Sequence, residues 1–242
     1  MNIVADLHTH TNVSHHAVSS FEEMIAGAKR QGHKAIAITN HAREIGDGAH
    51  NWHFGIFRYI PHEIDGIYII GGGEANIRTD GSIDIDKTNH AHHLDYIIAS
   101  IHDQTFKSTD PEVIEQAYKR VLENPFVNTF GHIGTPKYKF NYENIISKCN
   151  EYRKIVEINC GSFESRQGSI DNCREIMNLC KKYSVPIAIT SDAHISYSIG
   201  RVEKGIKMVQ ELDFPQELII NISEKNLQNY FKDYRGIDIF NR

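Results

Sequence analysis

The segment Ile3-Val4-Ala5-Asp6-Leu7-His8-Thr9-His10 ends a short apolar run in two histidines. His8 and His10 are two residues apart, so on an extended chain their side chains point to the same side and can reach one cation. Asp192-Ala193-His194 repeats this arrangement after another apolar run, near the other end of the chain. The two segments together predict a metal site where strands end.

Short β-branched runs alternate with longer helical segments, a pattern typical of parallel α/β proteins. The predicted strands are Ile3–Leu7, Ala35–Thr39, Ile67–Ile70, Asp95–Ser100, Phe126–Phe130, Ile155–Ile158 and Pro186–Thr190. The predicted helices are Phe21–Gln31, Pro111–Leu122, Tyr142–Tyr152, Asp171–Tyr183, Val202–Leu212 and Glu224–Lys232. No repeat, low-complexity tract or change in composition divides the 242 residues, so we predict one domain, residues 1–242.

Two architectures fit this alternation: a barrel of seven β/α units and an open, doubly wound sheet. Side chains that can bind metal follow six of the seven predicted strands, namely His8, His10, His41, Glu74, His102, His132, Asp192 and His194. A closed parallel barrel gathers the residues beyond its strand ends at one mouth, whereas an open sheet spreads them along a line. We therefore predict a barrel with a multinuclear metal site.

The composition bears on partners and location. The formal net charge is −5, and no basic stripe suggests binding to nucleic acid. The four cysteines form no CxxC pair, which favours reduced, buried thiols. No apolar stretch approaches the ~18 residues of a membrane span, and no leader sequence is evident. We expect a cytoplasmic protein without a membrane partner, and its oligomeric state stays open.

Considered one at a time, some of the candidate ligands have a second interpretation. Glu74 follows three glycines, and its carboxylate can bridge two cations, but a solvated loop glutamate would look the same. Spacing alone does not choose between His15 and His16. The group His90, His92 and His93 is predicted to be the solvated start of the fourth strand rather than a second metal site.

Several motifs resemble the PHP superfamily, named for polymerase and histidinol phosphatase. They are DLHTHT (6–11), TNH (39–41), GEAN (73–76), SDAH (191–194) and the lone histidines His102 and His132. Three others resemble the stand-alone YcdX-like phosphatases more narrowly: HNWHF (50–54), GSxDNCRE (168–175) and DFP (213–215). The resemblance covers almost the whole chain. It implies a distorted seven-stranded (β/α) barrel with three metal ions, usually zinc, with manganese or iron as alternatives.

The resemblance also implies how the ligands are shared. One metal would be held by His8, His10, Glu74 and Asp192. Glu74 would bridge to a second metal on His102 and His132, and the third would be held by His16, His41 and His194. This selects His16 over His15. The chain departs from the family pattern at Asn40, commonly Asp, and at Ile133, commonly Pro. Neither residue is a ligand, but Asn40 removes a possible carboxylate behind the ligands, a change that can alter metal affinity.

The implied reaction is hydrolysis of a phosphate monoester of a small metabolite by metal-bound hydroxide, with Glu74 and Asp192 as the catalytic carboxylates. Candidate substrate contacts are Arg166, Lys137, Arg43 and His53, although each is equally interpretable as an ordinary surface or structural residue. The alternatives are a PHP-type nuclease that acts on phosphodiesters, an amidohydrolase or deaminase, and a metal-binding module without catalysis.

Overall fold

In the computed structural model, which describes residues 1–85 and 91–242, seven parallel strands follow one another around a barrel. They are β1 (Ala5–Asp6), β2 (Ala35–Ile38), β4 (Ile67–Asn76), β5 (Tyr96–Ser100), β6 (Thr129–Phe130), β7 (Ile155–Asn159) and β8 (Ile187–Thr190). The additional strand β3 (Glu63–Ile64) pairs antiparallel with the start of β4. The predicted barrel is confirmed, and the open sheet is excluded.

The barrel is almost closed between β8 and β1. At the carboxyl ends of the strands, Thr9 forms a parallel bridge with Ala193. The N–H of His10 donates to the carbonyl of Ala193 over 2.8 Å, and the N–H of Ala193 donates to the carbonyl of His8 over 3.3 Å. The two histidine-bearing segments of the sequence are therefore neighbours in space.

At the other end of this seam, Asn221 occupies the place of a missing strand. Its side-chain amide donates to the carbonyls of Ala5 (2.9 Å) and Ile189 (2.7 Å), and its Oδ1 accepts from the N–H of Ile189 (3.2 Å). Its own carbonyl accepts from the N–H of Val4 over 2.9 Å. One side chain thus satisfies backbone groups that an eighth strand would otherwise pair.

Helices surround the barrel: α1 (Phe21–Arg30), α2 (Asn51–Gly55), α3 (Pro111–Glu123), α4 (Tyr142–Ile146), α5 (Ser162–Ser165), α6 (Ser169–Tyr183), α7 (Glu203–Glu211) and α8 (Glu224–Tyr230). Local caps explain why α1 and α3 match their predictions within one residue. Ser20 and Glu23 form a capping box before α1, and Asp110 caps α3. The predicted helix Tyr142–Tyr152 was too long, because after Ile146 the backbone tightens into three-residue turns.

The prediction that strand β4 ends at Ile70 was wrong, since the strand continues through the glycines to Asn76. A side chain on Gly72 would place its Cβ 2.8 Å from the carbonyl oxygen of Tyr96, and one on Gly73 would lie 2.7 Å from Ile85. Glycine is needed at position 72 because a backbone oxygen lies too close for a Cβ, whereas a Cβ at position 73 would require neighbouring side chains to move. Glu74 is consequently a buried strand residue paired with Ile98, which excludes the solvated loop glutamate.

The lower half of the barrel, at the amino ends of the strands, is filled by apolar side chains. Ala5, Ala35 and Ile155, the first residues of β1, β2 and β7, belong to this cluster, and Leu227 and Phe231 from the C-terminal segment join it and cover this mouth. Beside it the ammonium group of Lys154 donates to the carbonyls of Asn124 and Val127.

The remaining predictions concern cysteines, helices and the histidine group. All four cysteines are free and buried, as predicted. Within residues 1–85 and 91–242 no helix is both long and apolar enough to cross a bilayer. His92 and His93 end a short 3-10 helix before β5, and His90 lies outside the described residues.

Candidate metal centre

The structure brings the nine sequence-predicted ligands together at the carboxyl ends of the strands. Each comes from a strand end or the loop after it, except Glu74, which lies inside β4. The backbone of Glu74 is pinned on the β2 side: its N–H donates to the carbonyl of Asn40 (3.0 Å), and its carbonyl accepts from Ala42 (2.8 Å). The extra length of β4 therefore carries the carboxylate into the middle of the mouth.

Glu74 is the centre of the cluster. Five imidazoles surround its carboxylate, those of His8, His10, His41, His102 and His132. Its Oε2 lies 2.7 Å from Nδ1 of His41 and 3.3 Å from Nε2 of His8. Its Oε1 lies 3.2 Å from Nε2 of His132, on the opposite side. The two oxygens thus face two different groups of nitrogen atoms.

Several buried atoms at the centre of the cluster have no hydrogen-bond partner among the residues that the structure describes. They are both carboxylate oxygens of Glu74, Nε2 of His8, Nδ1 of His41 and Nδ1 of His10. An unsatisfied buried polar atom costs about 1–3 kcal/mol. These nitrogen and carboxylate oxygen atoms lie close together but are not aligned for hydrogen bonds with one another. Such an arrangement fits the coordination of cations.

Three overlapping triplets have potential ligand atoms within 4.8 Å of one another: His8–His10–Glu74, His41–Glu74–His102 and His10–His41–His194. Asp192 adjoins the first triplet, with Oδ1 3.2 Å from Nε2 of His10. Glu74 belongs to two triplets, as a bridging carboxylate requires. The geometry associates His10 and His41 with more than one position, so the division of these two ligands is less sharp than the resemblance implies.

His16, rather than His15, faces the cluster. Its Nε2 lies 2.9 Å from Nε2 of His194, and its Nδ1 donates to Oδ2 of Asp47 over 2.7 Å. The His15 side chain is exposed, and His15 does not line the cleft over the cluster.

Besides His16, three imidazoles have the ring nitrogen that faces away from the cluster bonded to an acceptor. Nδ1 donates to Glu157 from His8 (2.5 Å), to Oδ1 of Asn76 from His102 (2.7 Å), and to the carbonyl of Asp192 from His194 (2.9 Å). Because the hydrogen is on Nδ1, the Nε2 lone pair points into the cluster. These bonds hold the rings in the tautomer that binds metal.

Glu157 is a buried hydrogen-bond partner of two predicted ligands that the sequence reasoning missed. Besides His8, its carboxylate accepts from the N–H of His132 (2.6 Å), the hydroxyl of Thr190 (2.7 Å) and the amide of Asn159 (3.2 Å). It is fully buried in β7. A lone charged residue within the apolar run Ile155–Ile158 was the available signal, since a buried carboxylate requires partners.

The side chain of Asn40 hydrogen-bonds to Thr11, Ser14 and His53, which are not among the predicted ligands. Its Oδ1 accepts from the N–H of Thr11 (2.8 Å) and the hydroxyl of Ser14 (3.1 Å), and its amide faces Nε2 of His53 (3.1 Å). The hydroxyl of Ser14 in turn accepts from the N–H of His41 over 3.0 Å. Asn40 therefore organises the loop between His10 and His16.

The electrostatics favour the forms that bind a cation. Burial and the neighbouring His41 lower the pKa of His10 well below its ordinary value. Burial, with a contribution from Arg166, lowers the pKa of His132 to about 4. Burial opposes ionisation of Glu74, but His41 and other imidazoles bring its pKa well below the ordinary value. At neutral pH these two imidazoles are neutral and the carboxylate is charged.

His8 differs. Burial lowers its pKa, but the carboxylates of Glu157, Asp192 and Glu74 outweigh burial and raise it well above the ordinary value. Three carboxylates around one buried ring are an excess of negative charge, which a bound cation would offset.

Two predicted ligands have a left-handed backbone. His132 has φ 26° and Asp192 has φ 56°. Such conformations cost non-glycine residues of order 1–3 kcal/mol and are maintained by the surrounding structure. The N–H bond from His132 to Glu157 and the amide of Asn159, which donates to Oδ2 of Asp192 over 3.1 Å, provide that support.

A cleft of about 810 Å³ opens over the cluster. Of the four predicted substrate contacts, Arg166 and Lys137 line it, whereas Arg43 and His53 do not. Lys137 pairs with Asp103 (Nζ–Oδ2 2.7 Å).

Arg166, beside His132, donates from Nη1 to the hydroxyl of Ser162 over 2.6 Å. Among the residues that the structure describes, no carboxylate lies within ion-pair distance of it. His53 is enclosed with Phe54 and Phe57, and burial lowers its pKa to about 4.

The sequence model of the PHP domain family matches residues 6–166. This chain belongs to the PHP family. A relative named "Probable phosphatase" from Clostridium botulinum is 38% identical over 234 residues, 96% of each chain. Another with that name, from Caldicellulosiruptor bescii, is 39% identical over 241 residues, 99% of this chain and 100% of the relative.

Among solved structures, the chain is similar to a histidinol phosphate phosphatase from Lactococcus lactis in complex with zinc, L-histidinol and phosphate. The TM-score is 0.55 at 17% identity, over 87% of this chain and 94% of the other. This likeness supports the PHP barrel. The PHP match ends before Asp192 and His194, which the Thr9–Ala193 bridge brings back to the first strand.

Proposed function

We propose that this chain is a metal-dependent phosphatase that hydrolyses a phosphate monoester of a small metabolite at a centre of three ions. The observation that carries the proposal is the buried Glu74 carboxylate, which lies among five imidazoles and whose oxygens have no hydrogen-bond partner within residues 1–85 and 91–242. The phosphatase names of the relatives, and the zinc and phosphate in the complex of the Lactococcus lactis enzyme, support it.

The proposed ligands are those implied by the family pattern. The first position would use His8, His10, Glu74 and Asp192, the second Glu74, His102 and His132, and the third His16, His41 and His194. Zinc suits these imidazole-rich sets, with manganese or iron as alternatives. The distances from Glu74 to both sides of the cluster support its role as the bridge.

When bound, the metal ions lower the pKa of water and neutralise charge on phosphoryl oxygens. The protein residues would hold the ions and orient the substrate. Glu74 and Asp192 would supply the negative charge that fixes the ions, and Glu157 would keep the His8 ring in its metal-binding tautomer. Arg166 would bind the phosphoryl oxygens and stabilise the charge that develops on them during in-line attack. Lys137 is less suited to this role, because Asp103 already neutralises it.

The cleft supports a small substrate. Its volume is within the ~300–1,000 Å³ of ordinary small-molecule sites. Asp47 and Asp103 lie on its rim, where they would repel the continuous phosphate backbone of a nucleic acid. These features favour a phosphomonoesterase over a nuclease.

The test is an assay of zinc-loaded protein on p-nitrophenyl phosphate and bis(p-nitrophenyl) phosphate, with the bound metal counted on the same preparation. We expect the monoester to be hydrolysed faster than the diester. Asp192→Ala should abolish hydrolysis and release metal, and full activity of this variant would overturn the mechanism. A panel of phosphorylated metabolites would then identify the substrate.

A further inference from the structure

The three proposed metal positions differ in the charge of their ligands. The first contains two carboxylates, Glu74 and Asp192, and the second contains Glu74. The proposed ligands of the third are imidazoles alone, those of His16, His41 and His194. Carboxylates attract a dication much more strongly than imidazole dipoles do, and most strongly away from water. The third position therefore has the weakest electrostatic hold on its ion.

The third position is also the most open to solvent. The His16 side chain is 43% exposed and that of His194 30%, whereas the side chains of His8 and His10 are completely buried. His16 and His194 line the cleft. An ion held there can exchange with solvent through the cleft, while an ion among His8, His10 and Glu74 is enclosed.

The carboxylates that hydrogen-bond to the ligands are also less buried at the third position than at the first. Behind His8 stands the buried Glu157, which makes four hydrogen bonds. Behind His16 stands Asp47, whose own side chain is 40% exposed. Two hydrogen bonds connect the loops of His16 and Asp47. Nδ1 of His16 donates to Oδ2 of Asp47 over 2.7 Å, and the N–H of His15 donates to the carbonyl of Asp47 over 3.0 Å. Asp47 orients the most exposed ligand of the cluster.

We infer that the third position takes up and releases its ion separately from the other two, and that Asp47 is the positioning residue that sets its affinity. The inference rests on the proposed function. The first two ions form the permanent part of the centre, and occupancy of the third follows the concentration of free metal in the surroundings. The activity of the complete centre then depends on the concentration of free metal, through the exposed pair His16 and Asp47.

The test is a chelator titration of the zinc-loaded full chain, with zinc per chain measured by mass spectrometry after gel filtration. We expect one ion to leave at a chelator concentration that leaves the other two bound. Asp47→Asn should weaken this ion by about 10–100-fold, the usual effect of losing a carboxylate behind a histidine ligand. Asp47→Glu should restore part of the affinity.

Asp103→Asn is the matched control. It removes the same charge from the rim of the same cleft, but Asp103 binds Lys137 and Tyr138 rather than an imidazole. We expect zinc retention in this variant to equal that of the wild type. Equal weakening by both substitutions would overturn the positioning role, because it would show a general effect of charge.

Other outcomes separate this inference from the proposed function. Three ions that leave together from an active enzyme would overturn the separate third position and leave the phosphatase intact. A chain that retains no zinc and hydrolyses no monoester would overturn the proposed function itself. Thermal melting of each variant would show whether it is folded.

Discussion

The two mouths of this barrel are built for opposite purposes. At the amino ends of the strands, Leu227 and Phe231 pack against barrel side chains, and Asn221 and Lys154 bond to carbonyl groups of neighbouring segments. At the carboxyl ends, both carboxylate oxygens of Glu74 and one ring nitrogen each of His8, His10 and His41 are buried with no hydrogen-bond partner among the described residues. In parallel barrels the former end contributes stability and the latter carries function. The comparison shows that apolar packing fills one mouth, whereas the other keeps buried carboxylate and imidazole atoms available to a ligand.

The largest effect is expected at Glu74. Glu74→Gln preserves shape but places an amide among imidazole nitrogens that need an anion and a metal. We expect kcat/KM on a phosphate monoester to fall by at least about 10²–10³-fold, as when a group that stabilises transition-state charge is lost. Zinc content should fall as well.

Glu164→Gln makes the same chemical change at an exposed site, where the glutamate pairs with Lys204. This control should keep its activity and its zinc. A kcat/KM of Glu74→Gln equal to that of the wild type would show that Glu74 has no role in the reaction.

The opposite mouth should respond in stability alone. Leu227 is fully buried in the cluster that covers the lower barrel. Leu227→Ala should lower the free energy of unfolding by about 2–5 kcal/mol through lost burial and the cavity left behind. Urea denaturation measures this, and kcat of the folded fraction should be unchanged. A selective loss of kcat would show that the two mouths are coupled.

Lys154 should give the lower mouth a pH dependence of its own. Burial, with a contribution from Arg235, lowers its pKa to about 8, from an ordinary 10.5. Between these values the unfolded chain binds more protons, so the stability due to this residue rises with pH, by at most about 3 kcal/mol. Between pH 8 and 10.5 the free energy of unfolding of the wild type should therefore increase relative to that of Lys154→Met. A constant difference would show an ordinary, fully solvated pKa.

The smallest effect is expected behind the metal centre. In Glu157→Gln, an amide N–H₂ must face either the Nδ1 hydrogen of His8 or the N–H of His132. Zinc affinity should fall by about 10–100-fold. Competition with a chelator measures it, and Glu164→Gln again serves as the control. Unchanged affinity would mean that Glu157 supports only the fold.

Sequence reasoning succeeded where the information is local. The apolar runs and the caps at Ser20 and Asp110 give strands and helices near their predicted places, since hydrogen bonding within a few residues decides them. It failed for the strand through Gly71–Gly73, because glycine ordinarily weakens a strand and only the closeness of neighbouring elements requires it here. The short helices α2 and α5 were missed because four or five residues carry too little periodicity.

The sequence by itself determined the barrel and named nine ligand candidates, since strand-end positions and the family motifs are written in consecutive residues. Only the tertiary structure decided which basic side chain lines the cleft without a carboxylate partner among the described residues, namely Arg166 rather than Arg43. Only the tertiary structure showed that Glu157 hydrogen-bonds to two predicted ligands from different strands, and that His16 hydrogen-bonds to Asp47. These relations join residues about 25 to 150 positions apart, and the physical reason is that loop paths and burial, which no local pattern encodes, set the distances between them.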